Sequence, residues 1–338
     1  VFAHEVVLRH YSTQAFAPVT MAAATGFVVD NLVFDRPPLF PVDFSGVTYS
    51  HEFLLFALLG VLAAGVAIIY MRLVLKMFDI VAEVPLPFFA RPAAAGLAVG
   101  LVALWLPEIL GIGWEVQRSA TTEGAFGVGG LVLLIIAKVF LTALCLAFGF
   151  SGGVFGPALL VGSLVGALFW MVTEQFVPVP TSGVAVYAIS GMMAVASPVI
   201  GAPLTCILIV FELTRNYEVA VAAMVAVVIA NLIAHRVFGR SLFDAQLLAR
   251  GVDLSLGRTQ ARLRTMKFAD YAEENFVTAQ TSATVADATE LMEGRRWNEV
   301  FVTDDEGRFA GVFRLAAQTP AGSLGEAIRQ PMVIFDEN

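Results

Sequence analysis

Apolar residues along this chain come in long runs that stop at clusters of Pro, Gly and charge. Phe16 to Phe34 is one run, and Pro37, Pro38 and Pro41 then break it. Phe53 to Met71 is a second, ending in Arg72 and Lys76, and Ala93 to Leu106 a third, stopped by Pro107. Leu131 to Phe150 carries a single charge, Lys138, and Ala158 to Val172, Val184 to Val195, Leu204 to Phe211 and Val219 to Ala234 follow. Val1 to Tyr11 reads as the end of a membrane helix, with Glu5, Arg9 and His10 near its exit. A helix needs about 20 apolar residues to cross a bilayer, and several of these runs fall short. Short segments interrupted by Gly and Pro predict tilted and broken helices. Irregular backbone at membrane depth is tolerated only where protein or a water-filled cavity encloses it, so the pattern points to a transporter or channel.

The pattern changes near Gly239. Residues 1–238 hold 22 charged residues and residues 239–338 hold 26, so charge density more than doubles and a soluble part follows the membrane part. We place the boundary at residues 250/251. In the tail, Phe276-Val277-Thr278 is strand-like, Thr284 to Met292 has helical spacing with Thr284 as N-cap, Glu299 to Thr303 alternates like a strand, and Asp304-Asp305-Glu306-Gly307 turns the chain into a returning strand, Arg308 to Phe313. This is a small α/β module, and a second unit begins at Ser323. Arg236, Arg240, Arg250, Arg258, Arg262, Arg264 and Lys267 cluster after the last run, and basic residues beside a span favour the cytoplasmic side.

Composition agrees with this division. Only 14% of the 338 residues are charged, about half the usual share for soluble domains. A net charge of −8 gives no reason to expect a nucleic-acid partner. Cys145 and Cys206 sit in apolar runs as small hydrophobes, and His4, His10, His51 and His235 lie at span ends with no acid or Cys at ligand spacing, so no metal is expected.

The candidate chemistry lies in Ser151-Gly152-Gly153-Val154-Phe155-Gly156-Pro157, just before the Ala158 run. Glycines leave the backbone uncovered, and Pro is well placed in a first helical turn. The start of a helix carries free N–H groups and the positive end of the dipole, a natural anion site. A broken helix of this kind at mid-membrane can hold a dehydrated ion; the competing reading is a loop that only starts a helix. An internal repeat supports the first reading. Phe2, Glu5, Arg9 and Tyr11 precede a run that ends at Phe34-Asp35-Arg36-Pro37-Pro38-Leu39-Phe40, and Phe211-Glu212, Arg215 and Tyr217 precede one that ends at Phe238-Gly239-Arg240-Ser241-Leu242-Phe243. Repeated halves are a mark of transporter folds. Glu5 and Glu212 hold equivalent repeat positions and are candidates for a proton path or for structural pairing with Arg9 and Arg215. Lys138 reads as a snorkelling or paired charge, and Ser197, Thr205 and Asn231 as helix-packing groups.

Gly153-Val154-Phe155-Gly156-Pro157 resembles the G-x-F-x-P anion motif of the CLC family of chloride channels and chloride/proton exchangers. Gly201-Ala202-Pro203-Leu204-Thr205, Phe211-Glu212 and Gly239-Arg240-Ser241-Leu242-Phe243 support the likeness, and the tail is similar to a CBS domain followed by the start of a second copy. The resemblance implies an all-α polytopic membrane protein with inverted repeats and broken helices, followed by a small α/β CBS-like cytoplasmic module. It implies that the anion is held by the N–H groups of Val154 and Phe155 within Gly153 to Pro157. The family usually has a Tyr hydroxyl facing the ion at the position of Phe243, and exchangers often carry a proton-transfer Glu at the position of Val6. Phe243 removes that hydrogen bond, leaving a ring edge that can still face an anion. Val6 tilts the reading towards a channel or uncoupled transport.

The expectation is therefore a transport protein rather than an enzyme, moving chloride down its gradient. The alternatives are proton-coupled chloride antiport and secondary transport of another small anion. The implied assembly is a homodimer in the lipid bilayer, with Phe16–Phe34, Phe53–Met71 and Leu204–Ala234 at its interface and a bacterial inner or plasma membrane as its place. An adenine nucleotide at the CBS-like tail is a candidate ligand and no other cofactor is expected. The chain begins without Met inside an apolar segment and reads as a fragment, the second half of the membrane fold plus the start of the tail.

Overall fold

The computed structural model describes residues 2, 5–6, 13–34, 46–87, 89–177, 180–249, 251, 276–293, 299–314 and 322–328. The chain divides into two compact units, Val1–Ala261 and Arg262–Asn338. Among the described residues of the first unit the apolar runs and the segments between them form α1 (Thr13–Val29, continued by a π-helical turn to Phe34), α2 (Glu52–Glu83), α3 (Ala90–Ala103), α4 (Trp114–Ala120), α5 (Val128–Ala147), α6 (Phe155–Phe176), α7 (Val184–Ile200), α8 (Pro203–Thr214), α9 (Tyr217–Val237) and α10 (Leu242–Ala249). Among the described residues, five helical stretches are long and apolar enough to cross a membrane: Ala17–Phe34, Glu52–Glu83, Val128–Ala147, Phe155–Phe176 and Tyr217–Ala249. α3, α7 and α8 are apolar but shorter.

Element ends differ from the sequence reading in instructive ways. α2 does not stop at Arg72 and Lys76 but continues to Glu83. At 1.5 Å per residue its 32 residues reach about 48 Å, longer than a hydrocarbon core of about 30 Å, so it must tilt or project. Long basic side chains on a helix do not end it; they mark where it leaves the apolar layer. α7 runs through Ser197 and Pro198 to Ile200 and ends where Gly201 takes a left-handed conformation (φ 73°). α6 starts three residues before Ala158 and reaches Phe176. The polar stretch 111–130 contains the short helix α4 and the first turn of α5.

α7 is the centre of this unit. Every residue from Val184 to Ile200 is buried, as expected for a helix that is apolar all round. α2, α6, α8 and α9 pack around it. Glycines allow the closest approach: a Cβ on Gly162 would lie 2.6 Å from the Gly191 carbonyl oxygen, and one on Gly166 would overlap the Tyr187 carbonyl. Small residues at membrane helix contacts serve this purpose.

In the second unit, β1 (Thr278–Gln280) pairs parallel with β2 (Glu299–Thr303), and β2 pairs antiparallel with β3 (Phe309–Arg314). α11 (Val285–Met292) crosses over, and the short helix α12 (Leu324–Ala327) follows the sheet. Thr284 caps α11 with a full capping box closed by Asp287. Ala288, Met292, Val300, Val302, Phe313 and Leu324 form the core.

Candidate functional site

Phe155, Gly156 and Pro157 form the first turn of α6, with Val154 as its N-cap. No side chain caps this helix. Among the described residues, none accepts a hydrogen bond from the N–H groups of Val154, Phe155 or Gly156. A Cβ on Gly152 or Gly153 would meet nothing within 4 Å, so the backbone just before α6 is uncovered. Val154 itself is 3% exposed. Its carbonyl accepts Ala158 N–H at 3.0 Å and the hydroxyl of Tyr70 at 3.4 Å. Tyr70, fully buried on α2, is a motif partner that sequence reasoning missed, because one Tyr in a long apolar run has no local signal. Phe2 stacks on Phe155 with ring centroids 6.2 Å apart. The site therefore offers unpaired backbone donors, the positive end of a 22-residue helix and apolar walls.

α8 shows the same physics with the donors filled. The carboxylate of Glu5 accepts Leu204 N–H at 2.9 Å, Thr205 N–H at 2.8 Å and the Thr205 hydroxyl at 2.6 Å. An acid placed on a helix start 200 residues away is a cap in trans along the chain. Glu5 also borders a cavity of about 650 Å³ with Gly201, Asn231, His235, Arg240 and Ser241. Asn231 donates to Ser197 Oγ at 2.6 Å and to its own helix at Val227 O, which joins α7 to α9. Glu212 is placed quite differently. It is exposed and lines a separate recess with Phe27, Phe211 and Arg215, and no ion pair joins it to Arg215 among the described residues. The two acids are thus not structural equivalents. The rest of the first repeat copy, Arg9, Tyr11 and Asp35 to Phe40, lies outside the described residues, as do Arg250, Arg258, Arg262, Arg264, Lys267, His4 and His10.

Phe243 is the second residue of α10 and is half-buried against the same core that holds Val154 and α7. Val6 packs on that core too. Lys138, only 4% exposed in the middle of α5, neither snorkels nor pairs with an acid among the described residues. Its ammonium donates to the carbonyls of Ile109 and Gly111, at 2.6 and 2.7 Å. A second buried charge had no sequence signal: Glu52, fully buried at the start of α2, accepts Ser182 N–H (2.9 Å), Ser182 Oγ–H (2.8 Å) and Tyr187 Oη–H (2.7 Å).

Broken apolar helices around a buried central helix, with an open helix start at a Gly-rich break, define an integral, multi-pass membrane protein of transporter or channel type. The chain belongs to the voltage gated chloride channel family, whose model matches residues 1–235, and a CBS domain model matches residues 268–316. It is 27% identical over 365 residues to chloride channel protein CLC-f of Arabidopsis thaliana, covering 92% of this chain and 47% of that protein. It is 33% identical over 212 residues to the H(+)/Cl(-) exchange transporter ClcA of Cronobacter sakazakii, covering 62% of this chain and 45% of that protein. The chain thus spans about half the length of these curated relatives. Two solved structures share the fold: a slow cyanobacterial Cl-/H+ antiporter (TM-score 0.56, 24% identity, 64% of this chain and 51% of that one) and a eukaryotic CLC transporter (TM-score 0.55, 17% identity, 93% and 65%).

Proposed function

We propose that the protein conducts chloride across a membrane, with the anion held by the N–H groups of Val154 and Phe155. The observation that carries this reading is the contrast between two helix starts: α8 has its N–H groups filled by a carboxylate, and α6, in the motif Gly153 to Pro157, has none filled among the described residues. Dipole and amide donors offset the lost hydration shell of a monovalent anion, and apolar walls keep competing water out. Phe243 supplies a ring edge and no hydroxyl, which predicts weaker anion selection than a Tyr would give. With Val6 unable to carry a proton and Glu5 engaged as a helix cap, transport without proton coupling is the leading reading. Both exchangers and a channel by name stand among the relatives. Homodimer assembly, a cytoplasmic tail, a bacterial plasma membrane, and an adenine nucleotide at the CBS region belong to the same reading as its outer parts.

The experiment is chloride flux from liposomes containing the complete protein, with and without a proton gradient, recording reversal potential and internal pH together. A reversal potential that follows chloride with a flat internal pH supports uncoupled conduction. Protons driven uphill by chloride identify an exchanger whose proton route bypasses Val6. Absence of chloride flux overturns the anion-site reading.

A further inference from the structure

The Lys138 ammonium is held inside the membrane unit by two backbone carbonyls, and the segment it holds is the one that touches the anion motif. Pro107–Ile109 is a single 3-10 turn, followed by Leu110 to Gly113 and then α4. Gly111 and Gly113 both take left-handed conformations, with φ 60° and 73°. They bend the segment so that the Ile109 and Gly111 carbonyls converge on Lys138 Nζ. The same bend carries Ile112 and Gly113 onto the first turns of α6. A Cβ added to Gly156 would lie 3.5 Å from Ile112 Cγ2, and one added to Gly113 would overlap Leu160. Ile112 is itself 63% exposed, so burial does not hold it there. On its other side the segment is held by Ile109, 5% exposed in a core with Leu131, Leu134 and Leu141 of α5, and by Lys138, which ties down its carbonyls.

We infer that Lys138 is a positioning residue for the anion site: it pins the 109–113 segment, which fixes the first turn of α6 at Gly156 and so the aim of the Val154 and Phe155 N–H groups. This inference rests on the anion reading of that site. A cation at the end of a helical turn is well matched to unfilled carbonyls. Within a low-dielectric interior it would be costly to keep without such partners. Sub-ångström shifts of a donor matter at a selectivity site, because an anion without its hydration shell has few other partners. Lys138 does not touch the ion; it acts through Ile112 and Gly156.

The test uses the complete protein in liposomes and reads chloride-to-nitrate permeability ratio as well as flux. Lys138→Met removes the ammonium at similar volume, Lys138→Arg keeps two donors for the two carbonyls, and Ile112→Ala removes the side chain that faces Gly156 while leaving the charge in place. We expect Lys138→Met and Ile112→Ala both to shift the permeability ratio, by about threefold to tenfold, the scale of one misplaced hydrogen bond to a charged group. Lys138→Arg should restore the wild-type ratio. Ile112→Ala keeps the test decisive if Lys138→Met fails to fold, since an exposed Ile tolerates truncation. An unchanged ratio in Ile112→Ala overturns the positioning role, and if Lys138→Met alone shifts the ratio, its bare charge is the cause. If the wild-type protein passes no chloride, it is the proposed function that falls, a result distinct from wild-type selectivity in the variants.

Discussion

Glu5 and Thr205 stand 200 residues apart in the chain and share two hydrogen bonds: the Glu5 carboxylate accepts both the backbone N–H and the hydroxyl of Thr205. A residue weighed as a proton carrier thus has a structural task, closing the N-terminus of α8. Glu5→Ala should leave two helix-start donors open and lower stability by about 1–2 kcal/mol, read as a lower melting temperature in detergent. Glu5→Asp should lose part of the same, because its shorter side chain cannot reach both Leu204 and Thr205. A variant with wild-type melting would show that the cap contributes nothing.

Glu52 receives three donors in a site closed to solvent. Tyr187 also stacks on Phe56, with centroids 4.7 Å apart, and on Phe169 at 6.1 Å. Glu52→Ala strands the Ser182 and Tyr187 donors and should cost on the order of 2–4 kcal/mol. Tyr187→Phe keeps the stacking and removes one donor, so its cost should be smaller. Comparing the two melting temperatures in detergent separates the hydrogen bond from the packing; equal losses would argue against this division.

Gly166 meets the Tyr187 carbonyl so closely that any side chain forces α6 and α7 apart. Gly166→Ala should destabilise by about 1–3 kcal/mol or more, and should also lower chloride flux, since α6 carries the proposed anion site. Gly65 is the control: on α2, with nothing within 4 Å of a Cβ, its change to Ala should be neutral or stabilise by up to about 1 kcal/mol. Melting curves and flux on the same preparations check both.

In the tail, the Asp287 carboxyl is held below the usual carboxylate range by the Thr284 backbone N–H first and by the Thr284 hydroxyl second. A folded value below the unfolded one means that its contribution is present at neutral pH and fades as pH falls through the carboxylate range. Hydrogen exchange of α11 should therefore speed up on acidification relative to Asp287→Asn at each pH, a comparison that cancels the intrinsic exchange chemistry. Thr284→Ala should loosen α11 at every pH by about 1 kcal/mol. No difference between wild type and Asp287→Asn on acidification would remove the capping box from the account.

The apolar runs, the Gly-rich break at 151–157 and the change of charge density near Gly239 carried the membrane class, the helix start and the tail module, because each is a local property of consecutive residues. Thr284 as a cap and the Asp304 turn were legible for the same reason: their partners lie within four residues. The tertiary structure decided everything that depends on what a distant residue brings. It turned Glu5 into the cap of α8, separated Glu212 from it, enclosed Glu52 with Ser182 and Tyr187, and set Lys138 against Ile109 and Gly111. A polar residue in an apolar run announces only that it needs a partner. Which partner satisfies it is a matter of helix packing, and helix packing is settled by small residues such as Gly162, Gly166 and Gly191, whose effect appears only when two helices meet.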